Sequence, residues 1–263
     1  MNRLATVALT AMMLFGSAPQ LSAQDSMAGV DLNSPMMTTA EMSREDVVAL
    51  IAAGAGVNLS GKRLSGLDLS GLDLSGAVLR GAYLNKANLK GAKLDKAVLD
   101  QAWALTANFA GASLRQASLI ASQMRGSNFK SADLSGARIT ADFTNGDLVG
   151  AQFEGADLSA DMKNQSMGLM RAVLRSAKLD GADFTGANLS RTVLEFAVLK
   201  EAILDGANLY GAELGGANLT GASVVGANFE QADVTSAVLQ KLKGMDLAQN
   251  FGKVRNLKRA FRD

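Results

Sequence analysis

LRGAYLNKANLKGAKLDKAVL, residues 79–99, carries leucine at 79, 84, 89, 94 and 99, and alanine at 82, 87, 92 and 97. The same grammar returns in GANLYGAELGGANLT, residues 206–220. Taken over the whole chain, bulky centres recur every five residues from Leu59 to Ile139, from Phe143 to Leu158, and from Asn164 to Leu239. Almost all of these centres are Leu, Phe, Ile, Val or Met; Ala104 and Asn164 depart from the rule. In extended backbone, residues two apart share a side, so the alanine and the bulky centre face one interior while the residue between them faces out. A period of five fits neither a helix at 3.6 nor an alternating strand at 2. The two remaining positions, rich in Gly, Ser, Asp and Lys as in Ser70-Gly71 and Asp205-Gly206, must therefore turn the chain.

Tandem A(D/N)LxG units of this kind resemble the pentapeptide repeat family, over about 185 of the 263 residues. The resemblance implies an all-β solenoid, a right-handed quadrilateral β-helix with four units per coil, hence about nine coils. Each coil adds roughly 4.8 Å, so the rod is expected to be on the order of 43 Å long. A twenty-residue superperiod agrees with four units per coil. The outward residues Asp68, Asn88, Asn108, Asn128, Asp147, Gly168, Asn188, Asn208 and Asn228 fall in one class, and all but Gly168 are Asp or Asn. They are expected to ladder up a single face. Each buried leucine centre contributes roughly 1.5 to 3 kcal/mol.

Two places break the frame. The stretch from Ala137 to Thr140 is one residue short, and one extra residue near Asp161 restores the register. A bulge or loop is expected at each, with Met162 and Met167 at inward small-residue positions and Asn164 as an inward polar centre that needs backbone partners.

The first residues read as an export signal over 1–23: Asn2-Arg3, the apolar run Leu4 to Phe15, then small residues with a cut after Ala23. The alternative is a buried or frayed N-terminal helix. The bacterial periplasm is the expected destination, with a thylakoid-like lumen as the other that the resemblance allows. Residues 24–41 read as a flexible leader. A capping helix follows over 42–56, with Ser43 and Asp46 forming a capping box, Met42 stapling to Val47, and Gly54 ending it. It is expected to plug the open end of the solenoid, whose repeats span 57–241, with Lys62 lifting its amine toward that end.

Residues 242–263 read as a basic amphipathic helix, with Leu247, Phe251, Val254, Leu257 and Phe261 at helical spacing. From Lys241 onward seven Lys or Arg face two Asp, a net of +5. The segment reads as a cap on the last coil. The alternatives are a homodimer face, which resembles how some family members pair end to end, and a contact with the membrane surface.

The sequence has no His and no Cys, which removes the commonest general base, thiolate nucleophiles and cysteine or histidine zinc sites. The glycines follow the coil rather than a phosphate loop, so neither a nucleotide nor another cofactor is expected, and the chain reads as a non-enzyme. The outward residues Arg63, Tyr83, Trp103 and Gln123 lie twenty apart and stack on one face as a candidate interaction patch. Either Trp103 faces out with Ala104 at the centre, or the frame slips and turns Trp103 or Leu105 inward.

Three functions compete. The first is a structural or interaction scaffold that contacts an envelope protein or polymer. The second, from the resemblance, is a DNA mimic that binds type II topoisomerases and protects them from quinolone drugs. That role needs the cytoplasm and a strongly acidic face, whereas the charge here is nearly balanced, and nucleic acid itself is not an expected partner. The third, a carbohydrate-active enzyme on a β-helix, needs a groove of long loops that uniform five-residue units do not supply.

Overall fold

The computed structural model describes residues 29–54, 56–162 and 170–263. The chain winds as a β-helix solenoid in which each coil pairs in parallel with the next, twenty residues on: Asn58↔Val78, Arg63↔Tyr83, Asp68↔Asn88 and Asp73↔Lys93 begin four ladders. One unit explains the rest. Ala87 and Leu89 are buried inward and Asn88 is half-exposed between them, while Lys90 and Gly91 form an exposed corner. Gly91 has φ 63°, a left-handed conformation that closes the turn. All five N–H groups from Asn88 to Ala92 find acceptors. Asn88 donates to Leu67 O of the coil before, Leu89 and Gly91 donate to the coil after, and Ala92 donates across the corner to Leu89 O. Lys90 N, the fifth, donates to the Asn88 side chain at 3.2 Å. At four units whose outward residue is not Asn or Asp, a carboxylate or amide at the corner one coil earlier does this work. Asp100 Oδ1 accepts from Ile120 N and Asn85 Oδ1 from Leu105 N. The outward Asx residues are therefore backbone acceptors before they are a surface feature.

The interior is a single column of Leu and Ala with aromatic stacks inside it, Phe109 on Phe129 at 4.5 Å and Phe153 on Phe184 at 4.6 Å. The only two-residue strands among the described residues, β1 (Ser118–Leu119) and β2 (Arg138–Ile139), pair beside the short unit. There Thr140 is buried, and its hydroxyl accepts from Ala121 N at 3.0 Å, standing in for a missing corner carbonyl.

The second irregularity is larger than one residue. Register steps of 20 become 31 at Asp142↔Val173, so eleven extra residues, 161–171, leave the wall between Ala160 and Ala172. Asp161 N donates to Met170 O at 2.8 Å and closes the base of this loop. Met162 is half-exposed outside the wall instead of filling the interior. Asn164 and Met167 lie outside the described residues. Because the loop takes two apparent units out of the wall, the amides do not form one ladder. Asp68, Asn88, Asn108, Asn128 and Asp147 share the first, and Asp157, Asn188, Asn208 and Asn228 continue another, two ladders further round the coil.

The ends differ from each other. Residues 29–41, expected as a flexible leader, are structured. They include helix α1 (Pro35–Thr38), a buried Met37, and Glu41, whose N–H donates to Arg63 O at 2.9 Å. Helix α2 (Arg44–Ala52) carries the Ser43–Asp46 capping box and buries Val47 against the first coil. Its Arg44 donates to Asp68 O and Ser70 O, two carbonyls on the exposed edge of that coil.

Residues 242–263 are not an amphipathic helix. They wind as one more coil, with Lys243, Gln249, Arg255 and Phe261 bridged to Ser223, Asn228, Asp233 and Val238. The corners are 3₁₀ turns at Met245–Leu247, Phe251–Lys253 and Leu257–Arg259, so each side takes six residues instead of five. The extra residue gives the corner a second internal bond, as in Leu247 N→Gly244 O with Ala248 N→Met245 O.

Candidate functional site

Arg63, Tyr83, Trp103 and Gln123 occupy consecutive positions of one ladder, which continues through Asp142 and Val173. Ala104 fills the centre beside Trp103 with no exposure, Trp103 N donates to Ala82 O at 2.9 Å, and Ala104 N donates to Gln123 O at 2.8 Å. The frame is therefore unslipped, and Trp103 faces out, half-buried, next to half-buried Tyr83. Gln123 is different. It is 7% exposed, and its Oε1 meets no hydrogen-bond donor among the described residues, so it closes the patch rather than extending it.

The leader runs along this side. Asn85, at the corner after Tyr83, donates from Nδ2 to Met37 O at 3.1 Å and to Met37 Sδ at 3.5 Å, and accepts from Leu105 N. Met37 is 6% exposed, while Glu41 pairs with Lys62 and Arg63, both at 3.2 Å. The hydrogen bond and charge of Lys62, aided by Arg63, hold the Glu41 carboxyl below its ordinary range against the opposing cost of burial. The Lys62 amine is thus committed to the leader. Sequence reasoning missed this docking because nothing in the spacing of residues 29–41 is periodic. Asn85 gave no signal of its own, since the same corner slot holds Arg80, Lys90, Asp95 and Asp100 in the neighbouring units.

Further along the same ladder, charges neutralise each other. Buried Asp142 accepts from Arg125 at 2.5 Å, Arg171 grips Glu213 with two N–H groups at 2.7 and 3.3 Å, and Glu195 pairs with Arg175 at 2.6 Å. A shallow groove of about 480 Å³ lies here, lined by Phe196, Glu213, Asp233, Thr235 and Arg255 among others. Phe196 is 64% exposed at a left-handed corner position, φ 58°. An aromatic in a corner slot was its signal in the sequence, one that a search limited to outward positions passes over.

The C-terminal residues expected as one face are divided. Phe251, Val254 and Leu257 pack on the core, with the Phe251 ring edge-on to Phe229 at 5.3 Å, whereas Leu247 and Phe261 are each 59% exposed. Among the described residues no group of His, Cys, Asp or Glu is arranged to hold a metal ion, and no helix is long and apolar enough to cross a membrane.

The model of the family described as pentapeptide repeats matches in 8 copies, over residues 63–101, 107–141, 139–159, 169–206 and 202–240. No curated protein sequence matches the chain. Among solved structures, it is similar to HetL, a pentapeptide repeat protein involved in heterocyst differentiation regulation from the cyanobacterium Nostoc sp. strain PCC 7120. That match is 29% identical with TM-score 0.43 and covers 84% of this chain and 97% of that one. It is also similar to QnrB1, a plasmid-mediated fluoroquinolone resistance protein, at 21% identity and TM-score 0.47 over 79% of this chain and 90% of that one. A pentapeptide repeat protein from the Arabidopsis thaliana thylakoid lumen matches at 30% identity and TM-score 0.25, over 45% of this chain and 68% of that one. The matched repeats span more than half of the sequence and coincide with the coils, so the chain belongs to the pentapeptide repeat family and its solenoid is the right-handed β-helix of that family.

Proposed function

We propose that this protein is an exported, non-enzymatic scaffold: a four-sided rod of about ten coils that holds a partner protein of the cell envelope against its Tyr83–Trp103 side. One observation carries the reading. That side already accepts a peptide, the chain's own leader, through Glu41 N→Arg63 O and the Asn85 amide on Met37. A rigid wall with half-buried aromatics and edge carbonyls suits recognition of an extended segment. Catalysis is left out of the reading because a sequence without His or Cys lacks the commonest general base and the thiolate nucleophile, and the carboxylates of Asp142, Glu195 and Glu213 are engaged by arginines. The same pairing argues against a DNA mimic, which needs an uncompensated acidic track. Export rests on the order of charged, apolar and small residues within 1–23.

The test is cross-linking in intact cells, with the wild type and Trp103→Ala side by side and the N-terminus of the recovered chain sequenced. A discrete envelope partner, lost in Trp103→Ala while the circular dichroism is unchanged, and a chain beginning at Gln24 are expected. Equal capture by the folded variant would end the patch reading. An uncleaved chain attached to a topoisomerase would replace the scaffold with the mimic.

A further inference from the structure

The two ends of the rod are built differently. At the N-terminal end the first centres, Leu59, Leu64, Leu69 and Leu74, have no exposure, because α2 lies across them with Val47 equally buried. At the C-terminal end the last coil turns Leu242, Ala248, Val254 and Ala260 inward, with Phe251 and Leu257 between them, and every one of these is only partly buried. Residues at matching inward positions one coil earlier, Ala222, Ala227, Ala232 and Ala237, have no exposure. Around this apolar section stand Met245 at 45%, Leu247 at 59% and Phe261 at 59% exposure. The rim is basic: Lys241, Lys243, Lys253, Arg255, Lys258, Arg259 and Arg262 face only Asp246 and Asp263. Asp263 is itself occupied, accepting from Lys241 N at 2.6 Å. Lys243, Lys253 and Arg255 pair with acids of earlier coils, whereas Lys258, Arg259 and Arg262 make no salt bridge among the described residues.

We propose that this end docks on an anionic lipid surface, its exposed Met245, Leu247 and Phe261 entering the headgroup layer and its unpaired Lys258, Arg259 and Arg262 meeting lipid phosphates. Charge selects this occupant. Two copies joined end to end would press the unpaired Lys258, Arg259 and Arg262 of each together within a screening length of about 10 Å, whereas an anionic surface attracts the same rim. The exposed apolar side chains separate a lipid surface from a purely ionic polymer, which would leave them in water. The proposal does not depend on the Trp103 side and places the rod upright, with that side free.

The experiment is flotation of the purified full chain with vesicles of phosphatidylcholine alone or mixed with phosphatidylglycerol, at low and high salt, with light scattering to give its mass in solution. Because Leu4 to Phe15 is apolar as well, variants carry the test: Arg259→Glu with Arg262→Glu, and Leu247→Ser with Phe261→Ser, all at exposed side chains that folding does not need. Binding to the anionic vesicles, weakened roughly tenfold or more by salt and by either variant pair, is the expected result. Unchanged binding by either pair, no binding to anionic vesicles, or a dimer in solution that the Ser pair abolishes would each overturn the proposal.

Discussion

Asn108 shows how much one outward residue does in this fold. Its side chain donates to Asn88 Oδ1, accepts from Asn128 Nδ2 and accepts from Ala110 N, each at 3.1 Å. Asn108→Ala would strand Asn128 Nδ2 and Ala110 N in a half-buried setting, while Asn88 Oδ1 keeps its bond from Lys90 N. The expected cost is about 1 to 2 kcal/mol, read as a fall of several degrees in the thermal midpoint. A substitution at an outward position without such bonds should cost little. Gly216 is constrained from two directions. Its φ is 66°, and a Cβ there would lie 2.6 Å from the Phe196 ring of the preceding coil. Left-handed corners tolerate Lys, Gln and Ser elsewhere in this chain, so the backbone alone is a modest obstacle. Gly216→Ala should therefore destabilise by roughly 1 to 2 kcal/mol, and Phe196→Ala in the same chain should recover part of that. Additive losses in denaturant melts of the double-mutant cycle would show that the ring is not the obstacle.

At the scale of elements, the two terminal pieces are held by carboxylates and should each loosen in acid. Glu41 has its pKa lowered below the ordinary 4.5, mainly by the Lys62 hydrogen bond, so its contribution is complete above that pH and is lost as pH falls through the lower folded value. For Asp233, burial pushes the pKa up, but hydrogen bonds from Thr235 and Asn256 outweigh it and the net value falls below 3.8. Its hold on the last coil, through Asn256 Nδ2 at 3.1 and 3.2 Å, is likewise complete above pH 3.8 and is lost as pH falls through the lower folded value. Hydrogen exchange from pH 6 down to 3 should show the Glu41 amide and the last coil losing protection in acid, with Leu89 and its neighbours unchanged. Loss of all three together would mean the ends are not separately fastened. The last coil also shows where sequence reading fails. Its apolar residues Leu242, Met245, Ala248, Phe251, Val254, Leu257 and Ala260 recur every three residues, two per six-residue side. Over so short a stretch a period of three passes for 3.6, and net basic charge on one side strengthens the false helix. The α2 capping box, by contrast, is local chemistry, and Ser43 and Asp46 state it within four residues.

For the whole molecule, the period of five makes the wall legible and conceals the loop. Eleven residues are two units and one more, so a search for a five-residue frame registers only the single extra residue, and the other ten pass as wall. Those two hidden units are half a coil. This is why Asn188, Asn208 and Asn228 stand two ladders away from Asn88, Asn108 and Asn128 instead of above them. The outward direction of Trp103 was undecidable from spacing for a related reason, since an alanine centre and a slipped frame look alike until Ala104 is seen buried and bonded in register. The geometry makes a strong prediction about the loop. Ala160 and Ala172 are consecutive in the wall once 161–171 are set aside, because Asp157 and Val173 would then stand five residues apart like any other pair of outward residues. Deleting 161–171 and joining Ala160 to Ala172 should therefore leave a continuous solenoid. It would lose the Asp161–Met170 bond and the Arg171 grip on Glu213 and Arg191 O, a partly exposed pair whose removal costs on the order of 1 kcal/mol. The circular dichroism spectrum should be retained and the melt shifted by only a few degrees. A collapse of the melt would show that the loop braces the wall rather than merely leaving it.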